Sequence, residues 1–470
     1  MSLRTIWSSP LLTTFTNTTF LFLCVMILIQ SVSGPVLVKR LLRSRLVLAI
    51  LILGSAVSMG SRMLVGYLGP GDIFQEFLGA TELAAGRSMN PANEAVVHDR
   101  VVYWFGRDPL DPGPQIWAPL RTLRTNSMSS GAAQIIVQAH PPFHVLLMAP
   151  LALLRSVRFM YIMMTLINFA SYGLLLLMIW RLLPDGLRAS TGIVLPLVLA
   201  LGWQPFVANL RQGQIGIVVA LLVVAGWLNL GKRPELGGAL IGVGALIKMF
   251  PALLLVWLLF RNRRAFLSSL CTIFLGALVL YLTSGWAGFV DYTQAAKTVE
   301  AVYGRSRMNY SLSAVIGHVV AGPNARSLWI SAAILAVEAI ILGLAVFEIL
   351  RTPKASRNAT ALEFGGFVVL SCLLSPTCWA FYYPLLLLPL ALLLGEVSTR
   401  ATARSVIGLL LILCSFSFPE QVVGQLTEHI APLIGDRPSW LLCSFPTFGM
   451  LALWLWIEQQ RVRCTATTAR

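Results

Sequence analysis

Charged residues are scarce in this chain. They make up 11% of its 470 residues, whereas hydrophobic residues make up 57% and the mean hydropathy is +0.78. A soluble protein of this length could not bury so much apolar surface. The composition therefore excludes a soluble globular enzyme and predicts a polytopic membrane protein.

Acidic residues are scarcer still, with 19 of them against 35 basic residues and a net charge of +16. Such an excess is also found in proteins that bind nucleic acids. Here, however, the basic residues form short clusters between apolar runs, as at 261–264 and 351–357. This pattern sets the topology of membrane proteins. We expect membrane lipids as partners and no nucleic acid.

Several chemical signatures are absent from the sequence. The seven cysteines are scattered singly, so neither a disulfide framework nor a zinc site is indicated. There is no P-loop, dinucleotide fingerprint, Ser-His-Asp order or zinc pattern. His140 and His144 have no carboxylate or cysteine at ligand spacing and are predicted to be structural. We expect no cofactor and no metal; a divalent ion would be compatible with the chain but is not indicated by it.

Long apolar runs organise the chain, and each is predicted to be helical because lipid offers no partner for free backbone groups. They lie near 11–31, 45–66, 158–182, 189–208, 213–230, 237–260, 265–284, 327–350, 361–377, 380–398, 403–419 and 440–458. Two polar loops interrupt them, at 67–140 and 285–326. We predict an all-α transmembrane bundle of about 11–13 helices, with short juxtamembrane helices in the loops.

The basic clusters place both polar loops on the extracytoplasmic face. The apolar stretch at 140–154 leaves two alternatives, because it is long enough to lie at the interface but short for a crossing. If it does not cross, 237–260 becomes a re-entrant pair of half-helices broken at Pro251. This second alternative is favoured because it agrees better with the positive-inside rule and because it moves Arg211 and Lys248 to the face that holds Asp72.

Asp72 follows a long apolar run, in the Gly-Pro-Gly-Asp segment 69–72. A carboxylate at the mouth of a membrane helix is costly unless it has a charged partner or a function. Asp72 is therefore a candidate base, with a helix N-cap as the structural alternative. A helix over 72–87 would put Glu76 on the same face, as a second acid or as a metal ligand with help from elsewhere.

Lys248 lies in the middle of an apolar segment, where a cation costs a few kcal/mol unless it snorkels or meets an anion. It is a candidate phosphate ligand, and carboxylate pairing is the alternative. Arg211, Gln212 and Gln214 belong to an Arg-Gln-Gly-Gln turn between apolar runs. Arginine suits phosphate and glutamine suits hydroxyl groups, so this turn is a second candidate for binding a phosphate or a sugar.

Further polar and aromatic residues are candidates for contact with a sugar or an acceptor. Asn309 and Ser311 lie in the second polar loop, and His140 lies where the first loop returns to the membrane. Trp379 precedes an aromatic Phe-Tyr-Tyr segment, 381–383. Ordinary loop residues and interfacial aromatic residues are the structural alternatives for these positions.

The ordered set of these segments resembles the bacterial polyprenyl-phosphate-mannose-dependent glycosyltransferases of the GT-C fold, the group that includes the mycobacterial mannosyltransferase acting on phosphatidylinositol mannosides. The resemblance covers about residues 45–400 and depends on seven elements in order. These are Asp72, an x-Pro-Pro stretch (140–142), Arg-Gln-Gly-Gln (211–214), Ala-Leu-Ile-Lys-Met-Phe-Pro (245–251), the basic cluster 261–264, Asn-Tyr-Ser-Leu-Ser (309–313) and Leu-Ser-Pro-x-x-Trp (374–379). Ala-Phe-Tyr-Tyr (380–383) stands where that family often has polar or histidine residues.

The resemblance implies an inverting hexosyltransferase of the cell membrane, with mannose as the expected sugar. A polyprenyl-phosphate sugar would be the donor and a lipid or glycan the acceptor, outside the cytoplasm. Asp72 would be the base, and Lys248 with Arg211 would bind the carrier phosphate. It also implies a catalytic domain at 45–400, preceded by an extra helix and basic linker at 1–44 and followed by helices and a basic tail at 401–470.

Two other function classes remain open. A transporter or flippase of an anionic or lipid-linked substrate would use Lys248 and Asp72 to bind the translocated anion, and it would be expected to show inverted repeats. A polysaccharide ligase or polymerase would be expected to have a large, basic outer loop late in the chain, for which 420–438 is too short.

Overall fold

The structure, a computed structural model, describes residues 72–84, 140–153, 156–186, 188, 203–304, 306, 308–321, 328–352, 356–398, 402–418 and 420–468, with isolated positions between 53 and 63. These residues are almost entirely helical and include no strand, which confirms the all-α class. The predicted run at 11–31, most of the first polar loop and the proposed boundary at 44 lie outside the described residues.

Sixteen α-helices are defined in the described part of the chain. They are α1 (Asp72–Ala84), α2 (Pro142–Ala152), α3 (Val157–Leu182), α4 (Gln204–Gln212), α5 (Gly216–Asn229), α6 (Pro234–Ile247), α7 (Leu254–Arg261), α8 (Arg263–Tyr303), α9 (Leu312–Ala321), α10 (Leu328–Arg351), α11 (Arg357–Leu373), α12 (Leu387–Ser398), α13 (Ala403–Ser417), α14 (Glu420–Ile434), α15 (Asp436–Cys443) and α16 (Phe445–Thr468). Two 3₁₀ helices, Phe250–Leu253 and Ala380–Leu386, precede α7 and α12.

Helices able to cross a bilayer are present in the described residues. Three are long and apolar enough on their own: Val157–Leu182, Arg263–Lys297 and Trp329–Arg351. A bent pair, Arg437–Cys443 with Phe445–Thr465, would be a fourth. The remaining apolar helices are shorter, and the predicted total of about 11–13 spans includes runs outside the described residues, so that number stays a prediction.

Helices α6 and α7 form a hairpin that enters and leaves at the same end of the bundle. Asn262, after α7, donates a hydrogen bond to the carbonyl oxygen of Leu230, before α6, at 3.3 Å. Ser268 of α8 likewise donates to the carbonyl oxygen of Glu235 at 2.6 Å. Since α6 has 14 residues, it rises about 21 Å, short of a full crossing. The chain therefore reverses between α6 and α7, with Lys248 at the turn, as expected for a re-entrant pair; its place in the membrane stays a prediction.

Helix α2 is the element that decides between the two topologies. It has 11 residues and rises about 16 Å, which is too short to cross a hydrocarbon core of about 30 Å. This length favours the alternative in which 140–154 does not cross. That alternative brings the polar segments around Arg211 and Lys248 to one end of the bundle. In the structure these two segments do lie together, through the contact of Gln214 with Lys248.

Two arginines, Arg261 (half-buried) and Arg461 (buried), hold the opposite end of the bundle together. Arg261 of α7 makes an ion pair with Glu363 of α11 at 2.6 Å, and Trp257 also donates to that carboxylate. Arg461 of α16 pairs with Glu348 of α10 at 2.9 Å. The sequence assigned both arginines only to topology, but the structure shows that they also join helices. Burying them unpaired would be strongly destabilising.

Close packing of α6 against α8 depends on Gly238. A methyl group at this position would overlap the carbonyl oxygen of Ala265, a backbone atom that cannot move away cheaply. We expect Gly238→Ala to lower the free energy of unfolding by about 1–3 kcal/mol, the usual cost of overpacking. Thermal unfolding of the detergent-purified protein, followed by circular dichroism, measures this.

Gly244 provides a matched control on the same helix. A methyl group there would have its nearest neighbour at 3.7 Å, an ordinary contact. Gly244→Ala should therefore leave stability unchanged or raise it by about 1 kcal/mol through helix propensity. Equal effects of the two substitutions would contradict the packing described for α6 and α8.

Candidate active site

A chain of side chains connects Asp72, Gln214 and Lys248. The amide nitrogen of Gln214 donates to Asp72 Oδ2 at 2.5 Å, and Lys248 Nζ donates to the amide oxygen of Gln214 at 2.7 Å. Asp72 and Gln214 are 142 positions apart in the sequence, and Gln214 and Lys248 are 34 positions apart. The amide separates the carboxylate from the ammonium group, so that each keeps its own capacity to bind a ligand.

Gly213 allows Gln214 to reach this position. It ends α4 in the left-handed conformation, with φ of 68°, which an L side chain rarely adopts. A Cβ atom on Gly213 would also lie 2.7 Å from Cβ of Ile73, the residue after Asp72. The Gln-Gly-Gln turn thus packs directly on the start of α1, which brings Gln214 against Asp72.

Two asparagines position the backbone of this turn. Asn168 of α3 donates to the carbonyl oxygen of Gln214 at 2.8 Å. The backbone N–H of Gln214 donates to the backbone carbonyl oxygen of Asn209 at 2.9 Å. The side-chain amide of Asn209 donates to the carbonyl oxygen of Phe381, also at 2.9 Å. Both asparagine side chains are fully buried. They connect the turn to α3 and to the aromatic segment after Trp379.

Lys248 is buried without direct contact with a carboxylate of the described residues. It takes an extended conformation that ends α6, and it is 3% exposed. Its Nζ lies 5.1 Å from the ring centre of Phe381 and 5.3 Å from that of Tyr382, within cation–π distance. Among the described residues no carboxylate lies within 4.0 Å of Nζ. The carboxylate-paired alternative is therefore not realised, and the ammonium group can meet an anion.

Glu76 joins this site together with two histidines. Its carboxylate lies 2.8 Å from His140 Nδ1 and 2.6 Å from His144 Nε2. No carboxylate lies at ligand spacing from these histidines in the sequence, but α1 brings Glu76 to the start of α2 from far away in the chain. Glu76 and Glu82 are both buried. The predicted helix at 72–87 is confirmed over Asp72–Ala84.

The two carboxyl groups of α1 have different electrostatic surroundings. Burial raises the pKa of Asp72, although His140, the Gln214 hydrogen bond and Lys248 oppose the shift. For Glu76, burial also acts upward, but His140 and His144 outweigh it and lower the pKa well below its usual range. Asp72 is thus the better proton acceptor of the two, and Glu76 stays ionised.

Arg211 and Gln212 lie in the last turn of α4, next to the site. Arg211 contributes to the electrostatic environment of Tyr161, whose hydroxyl donates to the carbonyl oxygen of Leu210 at 3.0 Å. Arg211 and Gln212 are both half-buried. Their contacts with a carrier phosphate or a sugar stay predictions.

Asn309 and Ser311 serve the local backbone in this structure. The Asn309 amide donates to the carbonyl oxygens of Gly304 and Pro376 and accepts from the backbone amides of Ser311 and Cys378. The Ser311 hydroxyl accepts from the amide of Ala314 at the start of α9. Asn309 therefore joins the second polar loop to the Ser-Pro-x-x-Trp segment. Contact of either residue with a sugar stays a prediction.

Trp379 is half-buried and stacks on Phe381, with ring centres 6.0 Å apart. Phe381 and Tyr382 were interpreted from the sequence mainly as interfacial aromatic residues, but they pack around Lys248 instead. Their place directly after the Ser-Pro-x-x-Trp segment was the signal that could have found them. His144 and Asn168 were missed as site residues, and His144 had only its four-residue spacing from His140 as a signal.

Residues 139–376, half of the chain, match the profile of glycosyltransferase family 87. The chain belongs to glycosyltransferase family 87. The match includes both histidines, Gln214 and Lys248, whereas Asp72 and Glu76 precede it. Together with its apolar helices, this membership indicates that the family 87 protein is embedded in a membrane.

A curated relative extends the comparison. The polyprenol-phosphate-mannose-dependent alpha-(1-2)-phosphatidylinositol mannoside mannosyltransferase of Mycobacterium tuberculosis is 27% identical to this family 87 protein over 223 residues. The aligned part is 46% of this chain and 50% of the relative, so the chain spans about half the length of the curated relative that it matches. No solved structure matches this chain.

Proposed function

We propose that this family 87 protein transfers a hexose from a polyprenyl-phosphate carrier to a hydroxyl group of a lipid or glycan acceptor. Mannose is the expected hexose. The observation that carries the proposal is the Asp72–Gln214–Lys248 chain. It puts a proton acceptor and an anion-binding cation on either side of one neutral amide. The name of the mycobacterial relative supports the choice of donor and sugar.

Asp72 acts as the general base in this proposal. The acceptor hydroxyl oxygen attacks the anomeric carbon of the sugar, and its proton passes to the Asp72 carboxylate. A buried carboxylate with a raised pKa is suited to this step because it accepts a proton more readily than an exposed aspartate. Gln214 holds the carboxylate in place through its amide hydrogen bond.

Lys248 stabilises the departing carrier phosphate. As the bond between the anomeric carbon and the phosphate oxygen breaks, negative charge grows on the phosphate, and a preorganised cation in a site without water lowers the barrier. The Lys248 ammonium group has three donors, and Gln214 accepts from one of them. Arg211 is the second cation of the proposal. A single displacement of this kind inverts the anomeric centre.

The proposed location is the extracytoplasmic face of the cell membrane. Asp72, Gln214 and Lys248 lie at one end of the bundle, and the Arg261–Glu363 pair lies at the other end of the α6–α7 hairpin. The basic cluster at 261–264 marks that second end as cytoplasmic under the positive-inside rule. The sugar would then be transferred outside, while the prenyl tail stays in lipid.

A reconstituted assay tests the proposal. The full-length protein in proteoliposomes should form a glycolipid product from polyprenyl-phosphate mannose and a lipid-extract acceptor, and no product from a nucleotide-linked mannose. NMR of the product should show the anomeric configuration opposite to that of the donor. Lipids of a deletion strain should contain an underglycosylated precursor, which identifies the acceptor.

Three results would contradict the proposal. Transfer from the nucleotide sugar would remove the carrier-lipid donor, and retention of configuration would remove the single displacement. Movement of the polyprenyl-phosphate sugar across the bilayer, without a new glycosidic bond, would favour the transport alternative. Each result is read on the same proteoliposomes, with protein-free liposomes as the reference.

A further inference from the structure

We propose that Glu76, His140 and His144 form a binding site for a divalent transition-metal ion of the zinc class. Each residue offers one ligand atom, and no two of these atoms are more than 4.8 Å apart. Ligand atoms around a tetrahedral zinc ion lie about 3.4 Å apart, given bonds of about 2.1 Å. The Glu76 carboxylate, now 2.8 and 2.6 Å from the two histidine nitrogens, would have to move away from each of them by less than about 1 Å to admit the ion.

The donor set has the chemistry that such an ion prefers. Two imidazoles and one carboxylate are the protein ligands of many catalytic zinc sites, which keep a further position open. His140 and His144 come from the start of α2, and Glu76 comes from α1. Because two separate elements supply the ligands, an ion would tie α1 to α2 next to Asp72, which is one helical turn from Glu76.

His144 gives an independent reason to expect a ligand. Its side chain is 1% exposed, and neither ring nitrogen has a hydrogen-bond partner among the described residues. The 2.6 Å approach of Nε2 to the Glu76 carboxylate is not aligned as a hydrogen bond. A cation bound to Nε2 and to the carboxylate would give Nε2 a ligand bond, while Nδ1 would still be without a hydrogen-bond partner among the described residues.

The charge balance of the site points the same way. Among the described residues, Asp72 and Glu76 bring two carboxylates into a buried region, with Lys248 as the nearby cation. Counted with both histidines neutral, these three side chains carry one net negative charge that is removed from water, which is unfavourable. A divalent ion would turn this into one net positive charge. The site would then attract an anionic oxygen of a substrate.

Metal binding by the full-length protein in detergent, without any sugar donor, tests the site. After treatment with a chelator and dialysis, the wild-type protein should take up about one Co²⁺ per chain, with visible absorption bands of a histidine-ligated ion, and about one Zn²⁺ by elemental analysis. We expect zinc to raise the unfolding temperature of the wild-type protein, because it binds the folded state.

Substitution of the ligands decides the assignment. Glu76→Gln keeps the size of the side chain, and both it and His144→Ala should weaken Co²⁺ binding by more than about 100-fold, beyond the usual effect of an outer-shell partner. His429→Ala, at an exposed histidine of α14, should bind as the wild type does. Equal binding by all four proteins, or no binding by the wild type, overturns the site, whatever the sugar-transfer assay shows.

Discussion

Replacement of Asp72 by asparagine is expected to abolish sugar transfer while the protein remains folded. Asparagine has the same shape and can still accept the hydrogen bond from Gln214, but it cannot take the acceptor proton. Loss of a general base reduces turnover by about 10²–10⁴-fold. The measurement is the initial rate of product formation from polyprenyl-phosphate mannose by purified Asp72→Asn protein.

The pH dependence of the transfer rate is a second test of Asp72 as the general base. Because burial raises the pKa of Asp72, transfer by the wild-type protein should fall with decreasing pH at a higher pH than an ordinary aspartate would produce. Below this pKa the carboxyl group is protonated and cannot act as a base. Any residual activity of Asp72→Asn should lack that fall.

Asp185 supplies the matched control for this experiment. It is 90% exposed beyond the end of α3, where it pairs with Arg188, and an exposed pair of this kind contributes little to stability. Asp185→Asn should therefore transfer sugar at the wild-type rate. Turnover of Asp72→Asn close to that of Asp185→Asn would remove the base assignment.

Replacement of Lys248 by methionine is expected to separate activity from stability. Methionine keeps the length of the side chain but loses the charge that would stabilise the departing phosphate. A lost electrostatic donor of this kind costs about 10²–10³-fold in kcat. At the same time, removal of a buried ammonium group without a carboxylate partner should leave the unfolding temperature unchanged or raise it.

The control for Lys248 is Lys232→Met, at an exposed lysine in the turn before α6. Its kcat and unfolding temperature should match those of the wild type. If Lys248 served only to hold the site together, Lys248→Met would lower the unfolding temperature along with the activity. Unchanged kcat in Lys248→Met would show that the carrier phosphate is stabilised elsewhere.

The interplay of these residues with the proposed metal ion can also be separated experimentally. If the ion contributes to catalysis, Glu76→Gln should lose both cobalt binding and transfer, whereas Asp72→Asn should lose transfer and keep cobalt. Asp72 is not one of the three proposed ligands, so its substitution leaves them intact. The two variants thus distinguish a base from a ligand on the same helix.

Several parts of the fold were predictable from the sequence for a clear physical reason. The all-α class follows from apolar composition, because helices satisfy their own backbone groups in lipid. The favoured alternative required the chain to reverse near Pro251, and the contacts of Leu230 with Asn262 and of Glu235 with Ser268 agree with that reversal. Positive-inside counting favoured the same topology.

The composition of the site was only partly predictable. Asp72, Glu76, Gln214 and Lys248 were all candidates, but the sequence did not indicate that one glutamine amide would connect the first and the last of them. Glu76 and His140 were candidates for different roles, and the structure brings them within 2.8 Å of each other. Phe381 and Tyr382 had the composition of interfacial residues, and only their position beside Lys248 shows their contribution.

The sequence by itself determined that this protein is a helical membrane protein, that an apolar segment carries a lone lysine, and that an aspartate follows an early apolar run. These properties depend on hydrophobicity and helical spacing, which are local. Only the tertiary structure decided which of the distant polar side chains meet. That outcome depends on how helices rotate and pack against one another, and on a left-handed glycine that turns Gln214 toward Asp72.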